Sequence, residues 1–412
     1  MKASALLASS CRRFFEILKY LQNMSIVILN WAKGENDPFT YFNDRLKRSF
    51  EQIGRTTRII GIDDQMVPNL FDSHAKGTGI EFIFTWQGLG SRLTSLWDEL
   101  KVPLLCYHGD HPCYQIENHS PASPWVRHIY AVPSFALFAN THIPRKKEAT
   151  YVPTPILFDD KVRGNFAGDH FVLPKNMDDN RSTMGVWRNI PERQLSRFLL
   201  DAAGAVISEF KSGNHVNHHD VIESLLTPDL LSNLQHELRS DSHGAVRMLL
   251  HFLLDPIHRN AISESIIHEL ADIPLKIYGR GWDRFKAIEN RNHEFLSFNA
   301  VSDNAFQFAS NYGIVDVAPI CDSLHDRTLR AMGNKSGFLV GSDWPHVSLL
   351  GKDFSDLFFD GSLGTLRSRA EQVLASPQAH RQRCQEFASR YHAQFSVFSF
   401  VKYLESVGQA TH

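Results

Sequence analysis

Leu275-Lys-Ile-Tyr-Gly-Arg-Gly-Trp282 is an apolar run that breaks into two glycines one residue apart. Two more short apolar runs follow it, Gly313-Ile-Val-Asp-Val-Ala-Pro319 and Ser336-Gly-Phe-Leu-Val-Gly-Ser-Asp343. The polar segment Cys321–Met332 lies between them and is predicted to lead into a helix. Short apolar runs that alternate with helical spacing predict consecutive βαβ units and a parallel sheet. In such sheets ligands bind beyond the carboxyl ends of the strands, so we expect the functional site there.

The first 150 residues repeat this alternation. Apolar residues at 39, 42, 46, 50 and 53 have helical spacing, and Arg92–Leu100 is also predicted to be helical. These helices alternate with four short strand-like runs, Ser25–Asn30, Arg58–Ile62, Ile80–Thr85 and Val102–Tyr107. The pattern predicts a second parallel sheet. The proline-punctuated segment Thr150–Pro155 is interpreted as the link between two domains.

The predicted fold class is therefore α/β, with two facing Rossmann-like domains. Several runs of 3–4 spacing between residues 192 and 269 predict a helical insert at the start of the second domain. The predicted divisions are an N-terminal extension (1–23), an N-terminal Rossmann-like domain (24–155), a C-terminal Rossmann-like domain including the insert (156–365), and C-terminal helices that pack back across the cleft (366–412).

Composition excludes some classes of protein. The net charge is −2, from 43 Lys and Arg against 45 Asp and Glu, which argues against a nucleic-acid binder. The five cysteines form no CxxC pair, which favours a reducing compartment and gives no recognisable zinc site. No apolar run reaches the ~20 residues of a membrane span, so we predict a cytoplasmic protein without a transmembrane segment. The histidine-rich stretch Asn214–Asp220 is interpreted as a polar surface loop without a role.

The first candidate site follows a predicted strand, in Tyr107-His-Gly-Asp-His-Pro-Cys-Tyr114. We expect Asp110 or His111 to act as general base toward an incoming hydroxyl, since a carboxylate or imidazole can be tuned to that task. The alternative is a turn whose histidines cap backbone groups. A metal site would need a third ligand at suitable spacing, and none is visible in the sequence.

Two further candidate segments, Tyr278–Trp282 and Asp322–Arg327, are predicted to hold a diphosphate together. Glycines let a backbone approach a phosphate, an arginine can donate paired hydrogen bonds, and a capped helix start presents free N–H groups. Taken alone, each segment could equally be a tight turn with a packed tryptophan or an ordinary capped helix. The residues predicted to hold the diphosphate are Gly279, Arg280, Gly281, Trp282, Asp322, Ser323, His325 and Arg327, with Asp322 or Ser323 as the helix cap.

These motifs resemble the C-terminal half of GT-B type glycosyltransferases, and they are most similar to the CgeB-like group, typified by a spore-maturation protein. The resemblance implies transfer of a sugar from a nucleotide sugar held mainly by the C-terminal domain, without metal or cofactor. The acceptor would be a glycan, a protein or a lipid-linked molecule. The family helix usually carries a glutamate where this chain has Met332. UDP, GDP and CMP donors therefore remain open.

Other interpretations stay open on the sequence. A sugar-nucleotide epimerase would use the same donor cradle, and a non-catalytic nucleotide-sugar binding protein would lack turnover. An inverting transferase needs a base, whereas a retaining one would use Asp110 and His111 only to orient the acceptor. The helical insert is the expected carrier of acceptor specificity, and a homodimer through its helices is open.

Overall fold

The computed structural model describes residues 25–31, 38–62, 70, 79–119, 123–144, 147–157, 169–177, 187–214, 216–240, 242–282, 292–296, 312–317, 323–341 and 352–409. The predicted N-terminal extension, residues 1–23, and the predicted site residue Asp322 lie outside these ranges.

The N-terminal sheet contains six parallel strands in the order β2-β1-β3-β4-β5-β6. Their order reverses between β1 and β3, the kind of position at which doubly wound sheets bind ligands. The strands are rich in buried apolar residues, as a parallel sheet covered on both faces requires. Ile28 is an example, and it lies beside Ile59 and Phe84 of the neighbouring strands. The strands are β1 (Ser25–Trp31), β2 (Thr56–Ile62), β3 (Ile80–Trp86), β4 (Leu104–His108), β5 (Val126–Tyr130) and β6 (Thr150–Tyr151). The helices are α1 (Pro38–Gln52), α2 (Thr94–Leu100) and α3 (Pro133–His142).

The C-terminal sheet also has six parallel strands, in the order β12-β11-β10-β7-β8-β9. This order is that of a Rossmann sheet, with its reversal between β7 and β10. The three apolar runs between residues 275 and 343 do not account for the whole sheet, because its central strand β7 comes about a hundred residues before β8. The strands are β7 (Phe171–Pro174), β8 (Leu275–Tyr278), β9 (His293–Leu296), β10 (Gly313–Val317), β11 (Phe338–Gly341) and β12 (Phe358–Phe359).

A helical insert separates β7 from β8. It comprises α4 (Arg193–Lys211), α5 (His218–Leu225), α6 (Pro228–Glu237) and α7 (His243–Glu269). Its helices enclose an apolar core of their own, which includes Leu199, Leu234 and Leu250. The interpretation of residues 214–220 as a surface loop is wrong for residues 218–220, because His218 begins α5 and is fully buried.

The last helices return the chain to the N-terminal domain. They are α9 (Leu366–Ala375), α10 (Pro377–Gln394) and α11 (Val397–Gln409), and α8 (Asp326–Gly333) precedes them. Phe400 of α11 packs edge-on against Phe84 and Tyr107 of the first sheet, with ring centroids 6.3 and 5.3 Å away. The Tyr391 hydroxyl donates to the carbonyl of Thr154 at 2.9 Å. Phe387 of α10 packs on Phe338 of β11, with ring centroids 5.8 Å apart, so the C-terminal segment contacts both halves of the molecule.

Within the described ranges, no helix combines the length and the apolar character that a membrane span requires. The predicted cytoplasmic location stays a prediction. Three cysteines in these ranges, Cys106, Cys113 and Cys384, are buried and free of disulfides.

Candidate functional site in the cleft between the two sheets

A cleft of about 400 Å³ lies at the carboxyl ends of both sheets. The N-terminal domain lines it with the ends of β3, β4, β5 and β6 and with α1. The C-terminal domain lines it with the residues that lead into α8 and with the first turns of that helix, and α7 contributes Arg259. The cleft therefore lies where parallel sheets are expected to bind their ligands.

On the N-terminal side, a chain of hydrogen bonds spans the point where the strand order reverses. Asn43 of α1 donates to Asn30 of β1 at 2.9 Å, and its own side-chain oxygen accepts from the Trp86 indole at 2.7 Å. The Trp86 ring lies edge-on to Tyr107, with the centroids 5.4 Å apart. This network positions the aromatic rings of Trp86 and Tyr107 on the N-terminal side of the cleft.

On the C-terminal side, Asp316 organises the start of α8. This carboxylate is buried at the end of β10, accepts from the Thr328 hydroxyl at 2.8 Å, and lies 3.2 Å from Nη1 of Arg327. The same Nη1 donates to the carbonyl of Pro174, the last residue of β7, at 2.9 Å. Arg327 therefore bridges β7 and β10 at the reversal of strand order.

The charges around Asp316 are coupled. Burial opposes ionisation of Asp316, but Arg327 and His325 outweigh it and hold its pKa well below the usual range. Burial and Arg327 lower the pKa of His325, but the carboxylates of Asp326 and Asp316 outweigh them and raise it above the ordinary value. The site therefore contains an ionised aspartate behind an arginine and a histidine whose cationic form is favoured.

Four arginines converge on the cleft: Arg45, Arg259, Arg327 and Arg330. Arg45 donates to the carbonyl of Leu157 at 2.5 Å, and the Arg330 guanidinium lies 5.8 Å from the centre of the Phe42 ring. With His325 they face two lining carboxylates, Asp110 and Asp326. Behind the lining, Asp255 pairs with Arg259 and Asp316 pairs with Arg327. The cleft is therefore rich in arginines, which suit a phosphorylated ligand.

Asp110 lines the opposite side of the cleft, as the sequence prediction of a rim residue requires. Its carboxylate accepts from the Gln87 side chain at 2.9 Å. Gln87 has a left-handed backbone with φ 54°, which is uncommon for a residue other than glycine. Desolvation in the cleft, and then the carboxylate of Asp326, raise the pKa of Asp110.

His111 does not line the cleft. It is buried, and its Nδ1 accepts from the Cys113 backbone N–H at 3.2 Å, so it caps the 3-10 turn Pro112–Tyr114. Its ring packs against Phe138 and His251, with centroids 4.6 and 4.9 Å away. The structure places this histidine in the contact between the N-terminal domain and the helical insert.

The glycine turn that follows β8 also lies outside the cleft lining. A Cβ atom at Gly279 would lie 2.0 Å from the carbonyl oxygen of Lys175, and one at Gly281 would lie 1.7 Å from that of Met177. Trp282 is buried and donates from its indole to the Lys175 carbonyl at 2.7 Å, and the Arg280 N–H donates to Asn176 at 3.0 Å. The turn thus shapes the segment after β7.

The cap of α8 differs from the predicted one. His325 is the residue at the N-cap, and Ser323 is buried two positions earlier. His325, Arg327 and the N-terminal end of α8 do come together at the cleft. Asp322 lies outside the described residues.

Sequence reasoning missed Asp316 and three of the four arginines. Asp316 is the single charged residue within the buried strand Gly313–Val317, and a carboxylate in such a strand signals a buried partner. Arg330 follows Arg327 by three residues, which places both on one helix face. Arg45 and Arg259 give no such signal, because each belongs to a helix whose position depends on the tertiary fold.

Comparison with known proteins supports the architecture. No family model matches this chain, and no curated protein matches it. Among solved structures it is similar to a sucrose-phosphate synthase from Thermosynechococcus elongatus, with a TM-score of 0.50 and 11% identity over 94% of this chain and 100% of the other. The HepE protein of Anabaena, in complex with UDP and glucose, gives a TM-score of 0.47 at 10% identity over 93% and 99% of the two chains. The chain has the GT-B fold, in which two Rossmann-like domains face each other across a cleft.

Proposed function

We propose that this protein is a glycosyltransferase that moves a sugar from a nucleotide sugar to a glycan, protein or lipid-linked acceptor. The observation that carries the proposal is the convergence of four arginines and the start of α8 on one cleft between two Rossmann-like sheets. Arginines and helix N-termini are the groups that recognise a diphosphate. The proposal also fits the GT-B fold shared with a sucrose-phosphate synthase.

In this proposal, Arg327 and Arg330 hold the diphosphate of the donor. They lie one turn apart on α8 and both line the cleft, and Asp316 fixes the first of them. Such fixed cations stabilise the charge that develops on the departing nucleotide, so the transfer needs no metal ion in the cleft. His325 adds positive charge at the same helix end. Donor contacts from residues 279–282 and from Asp322 stay predictions.

Asp110 is the proposed general base, and it would take the proton from the acceptor hydroxyl. Its position across the cleft from α8 and its raised pKa suit that task. With this base the reaction inverts the configuration at the transferred sugar; a retaining reaction would need no separate base. Arg259 brings the helical insert to the cleft, which supports a role of the insert in choosing the acceptor.

A turnover assay tests the proposal. The purified protein is incubated with UDP-, GDP-, CMP- and TDP-sugars in EDTA, and released nucleotide is measured for wild type, Arg330→Ala and Arg197→Ala. Arg197 is an exposed arginine of α4 and serves as the matched control. We expect release from one nucleotide class, reduced about 100-fold or more in Arg330→Ala and unchanged in Arg197→Ala.

Analysis of the donor sugar and titration with the nucleotide, on the same samples, can contradict a transferase. Conversion of the donor sugar without release of nucleotide would identify an epimerase. Binding without any turnover would identify a non-catalytic binding protein.

A further inference from the structure

Helices α5 and α7 of the insert bring three metal-ligating side chains together, far in sequence from the cleft residues of α8. His219 and Glu223 are four residues apart on α5, so they project from the same face of that helix. His251 of α7 faces them, and its ring centroid is 4.8 Å from that of His219. Two histidines and a carboxylate are the ligand set of many zinc sites.

The ligand atoms are already close. One nitrogen of His219, one of His251 and a carboxylate oxygen of Glu223 all lie within 4.8 Å of one another. In a tetrahedral zinc site with ligand distances of about 2.0–2.1 Å, neighbouring ligand atoms are about 3.3 Å apart. Small side-chain shifts therefore bring these atoms to bonding distance, and His219 and Glu223 are both partly exposed.

The buried ring of His251 gives independent support for a bound metal ion. Its side chain is fully buried, yet neither Nδ1 nor Nε2 has a hydrogen-bond partner among the described residues. The Nδ1 of His219 is buried and is also without such a partner there. Burying a polar group without a partner is costly, so native proteins normally satisfy it.

Glu223 is held in place by an arginine. Nε and Nη2 of Arg247 donate to its two carboxylate oxygens at 2.8 and 3.3 Å. An ionised carboxylate has about four acceptor positions, so it can bind a metal ion while it keeps both of these hydrogen bonds. Outer partners of this kind orient metal-binding carboxylates in known sites.

We propose that His219, Glu223 and His251 bind one Zn²⁺ ion, which joins α5 to α7 and stiffens the insert. Three protein ligands leave a fourth position for water. None of the three residues lines the cleft, so the inference does not rest on the proposed function.

A second histidine group, His108, His119 and His128, also has metal-binding spacing. Its members already bond to protein groups: His108 to His128 at 2.9 Å and His119 to the Tyr130 hydroxyl at 2.6 Å. These contacts explain that group as a buried hydrogen-bond network, so it carries no proposal. It does define where zinc would bind if the inference about α5 and α7 is wrong.

Equilibrium dialysis of tag-free, EDTA-treated protein against Zn²⁺ tests the proposal, with bound metal measured by mass spectrometry. The variants are His219→Ala and Glu223→Gln, which change partly exposed side chains, and the control is His236→Ala, an exposed histidine of α6. We expect one Zn²⁺ per wild-type chain, a Kd at least about 10-fold higher in the two site variants, and no change in the control. Circular dichroism verifies that each variant is folded.

Co²⁺ provides a second readout, because it replaces zinc and its visible absorption reports low-coordinate nitrogen and oxygen ligation. We expect an absorption band in wild type and in His236→Ala that is lost in His219→Ala. Failure of wild type to take up metal would overturn the proposal. Uptake that persists in both site variants would also overturn it and would assign the metal to another group, with His108, His119 and His128 the first to replace.

Discussion

Asp316 connects the core of the C-terminal domain to the proposed donor site. It is 1% exposed, and its carboxylate lies against Arg327, His325 and Thr328. A buried charge is tolerated only when such partners compensate it, and removal of one partner leaves the others uncompensated. The same residue therefore supports both the stability of the domain and the position of Arg327.

The variant Asp316→Asn keeps the size of the side chain but removes its charge. We expect a loss of about 3 kcal/mol in the free energy of unfolding, because Arg327 and His325 lose their counter-charge. Urea denaturation at neutral pH measures it. The control is Asp201→Asn on α4, whose side chain is 66% exposed and 3.8 Å from Arg197, and which should stay within about 0.5 kcal/mol of wild type. Equal stability of the two variants would show that the Asp316 carboxylate does not compensate the charges of Arg327 and His325.

The variant Asp110→Asn tests the proposed base. We expect kcat to fall about 100- to 10,000-fold while the Kd of the donor nucleotide is unchanged, because the amide cannot accept the proton. Steady-state kinetics and nucleotide titration measure the two quantities. Glu117→Gln, an exposed carboxylate beyond the cleft lining, serves as the control. A kcat within twofold of wild type would exclude Asp110 as the base.

At the residue scale, sequence patterns located some of the site. Asp110, His325 and Arg327 were predicted because polar residues after strand-like runs must lie at the carboxyl edge of a sheet. His111 is adjacent in sequence but turns into the interface with the insert, since its ring caps Cys113 and packs on Phe138. The direction of a side chain at a strand end depends on tertiary packing, which the sequence pattern does not contain.

At the scale of elements, the insert packs on the N-terminal domain through a close approach of two helices. A Cβ atom at Gly244, in the first turn of α7, would lie 1.8 Å from the carbonyl oxygen of His142 at the end of α3. Backbone cannot move aside as a flexible side chain can. The glycine is therefore required for this contact.

Gly244→Ala should lower the free energy of unfolding by about 1–3 kcal/mol, because α7 must shift away from α3. The matched control is Gly204→Ala in the interior of α4, where nothing lies within 4 Å of the added methyl group. This control should gain about 0.5–1 kcal/mol, since alanine is the better helix former. Chemical denaturation of both variants measures the difference. If Gly244→Ala were as stable as wild type, the described approach of α7 to α3 would be incorrect.

Element prediction failed where an element was short or isolated. Strand β7 has four residues and is separated from the other strands of its sheet by about 100 residues of insert, so neither periodicity nor a neighbouring βα unit marks it. The longer helices of the insert and the C-terminal segment were predicted, because 3–4 spacing over several turns is a strong signal. The glycines after β8 were correctly predicted to lie in a turn. Their close contact with residues 175–177 could not be predicted, because the strand β7 that precedes those residues was not predicted.

At the scale of the whole molecule, buried histidines make the contact between the insert and the N-terminal domain sensitive to acid. Burial is the main cause that lowers the pKa of His111, His218 and His251, followed by repulsion from neighbouring histidines. In the unfolded chain their pKa is about 6.5. Below that pH the unfolded chain binds protons that the folded protein does not, so stability falls as pH decreases.

The expected result is a free energy of unfolding that is constant with respect to these groups above about pH 6.5 and falls below it. Each histidine that stays neutral contributes a slope of up to about 1.4 kcal/mol per pH unit, and for His251 the decline continues to about pH 3. Urea denaturation in EDTA between pH 5 and 8 measures the slope without interference from metal. His251→Leu should reduce the slope by up to about 1.4 kcal/mol per pH unit, the contribution of one histidine. An unchanged slope in that variant would show that His251 is not a source of the acid sensitivity.

The alternation of strands and helices predicted two facing parallel domains, and the structure confirms this fold. Topology adds what the alternation could not, namely that β7 and β10 are neighbours and that Arg327 bridges them. The arginine-rich cleft forms because β7 and β10 are adjacent and because α1 and α7 bring Arg45 and Arg259 to the same place.

The most direct test of the account is the binding of free nucleotides to this cleft. The melting temperatures of wild type, Arg330→Ala and Arg197→Ala are measured with UDP, GDP, CMP and TDP, with and without Mg²⁺. We predict that one nucleotide stabilises wild type and Arg197→Ala independently of Mg²⁺, by about 2.7 kcal/mol at 100 times its Kd, and that Arg330→Ala loses this effect. If none of the four nucleotides changes the melting temperature of wild type, the nucleotide-sugar site proposed for this cleft is contradicted.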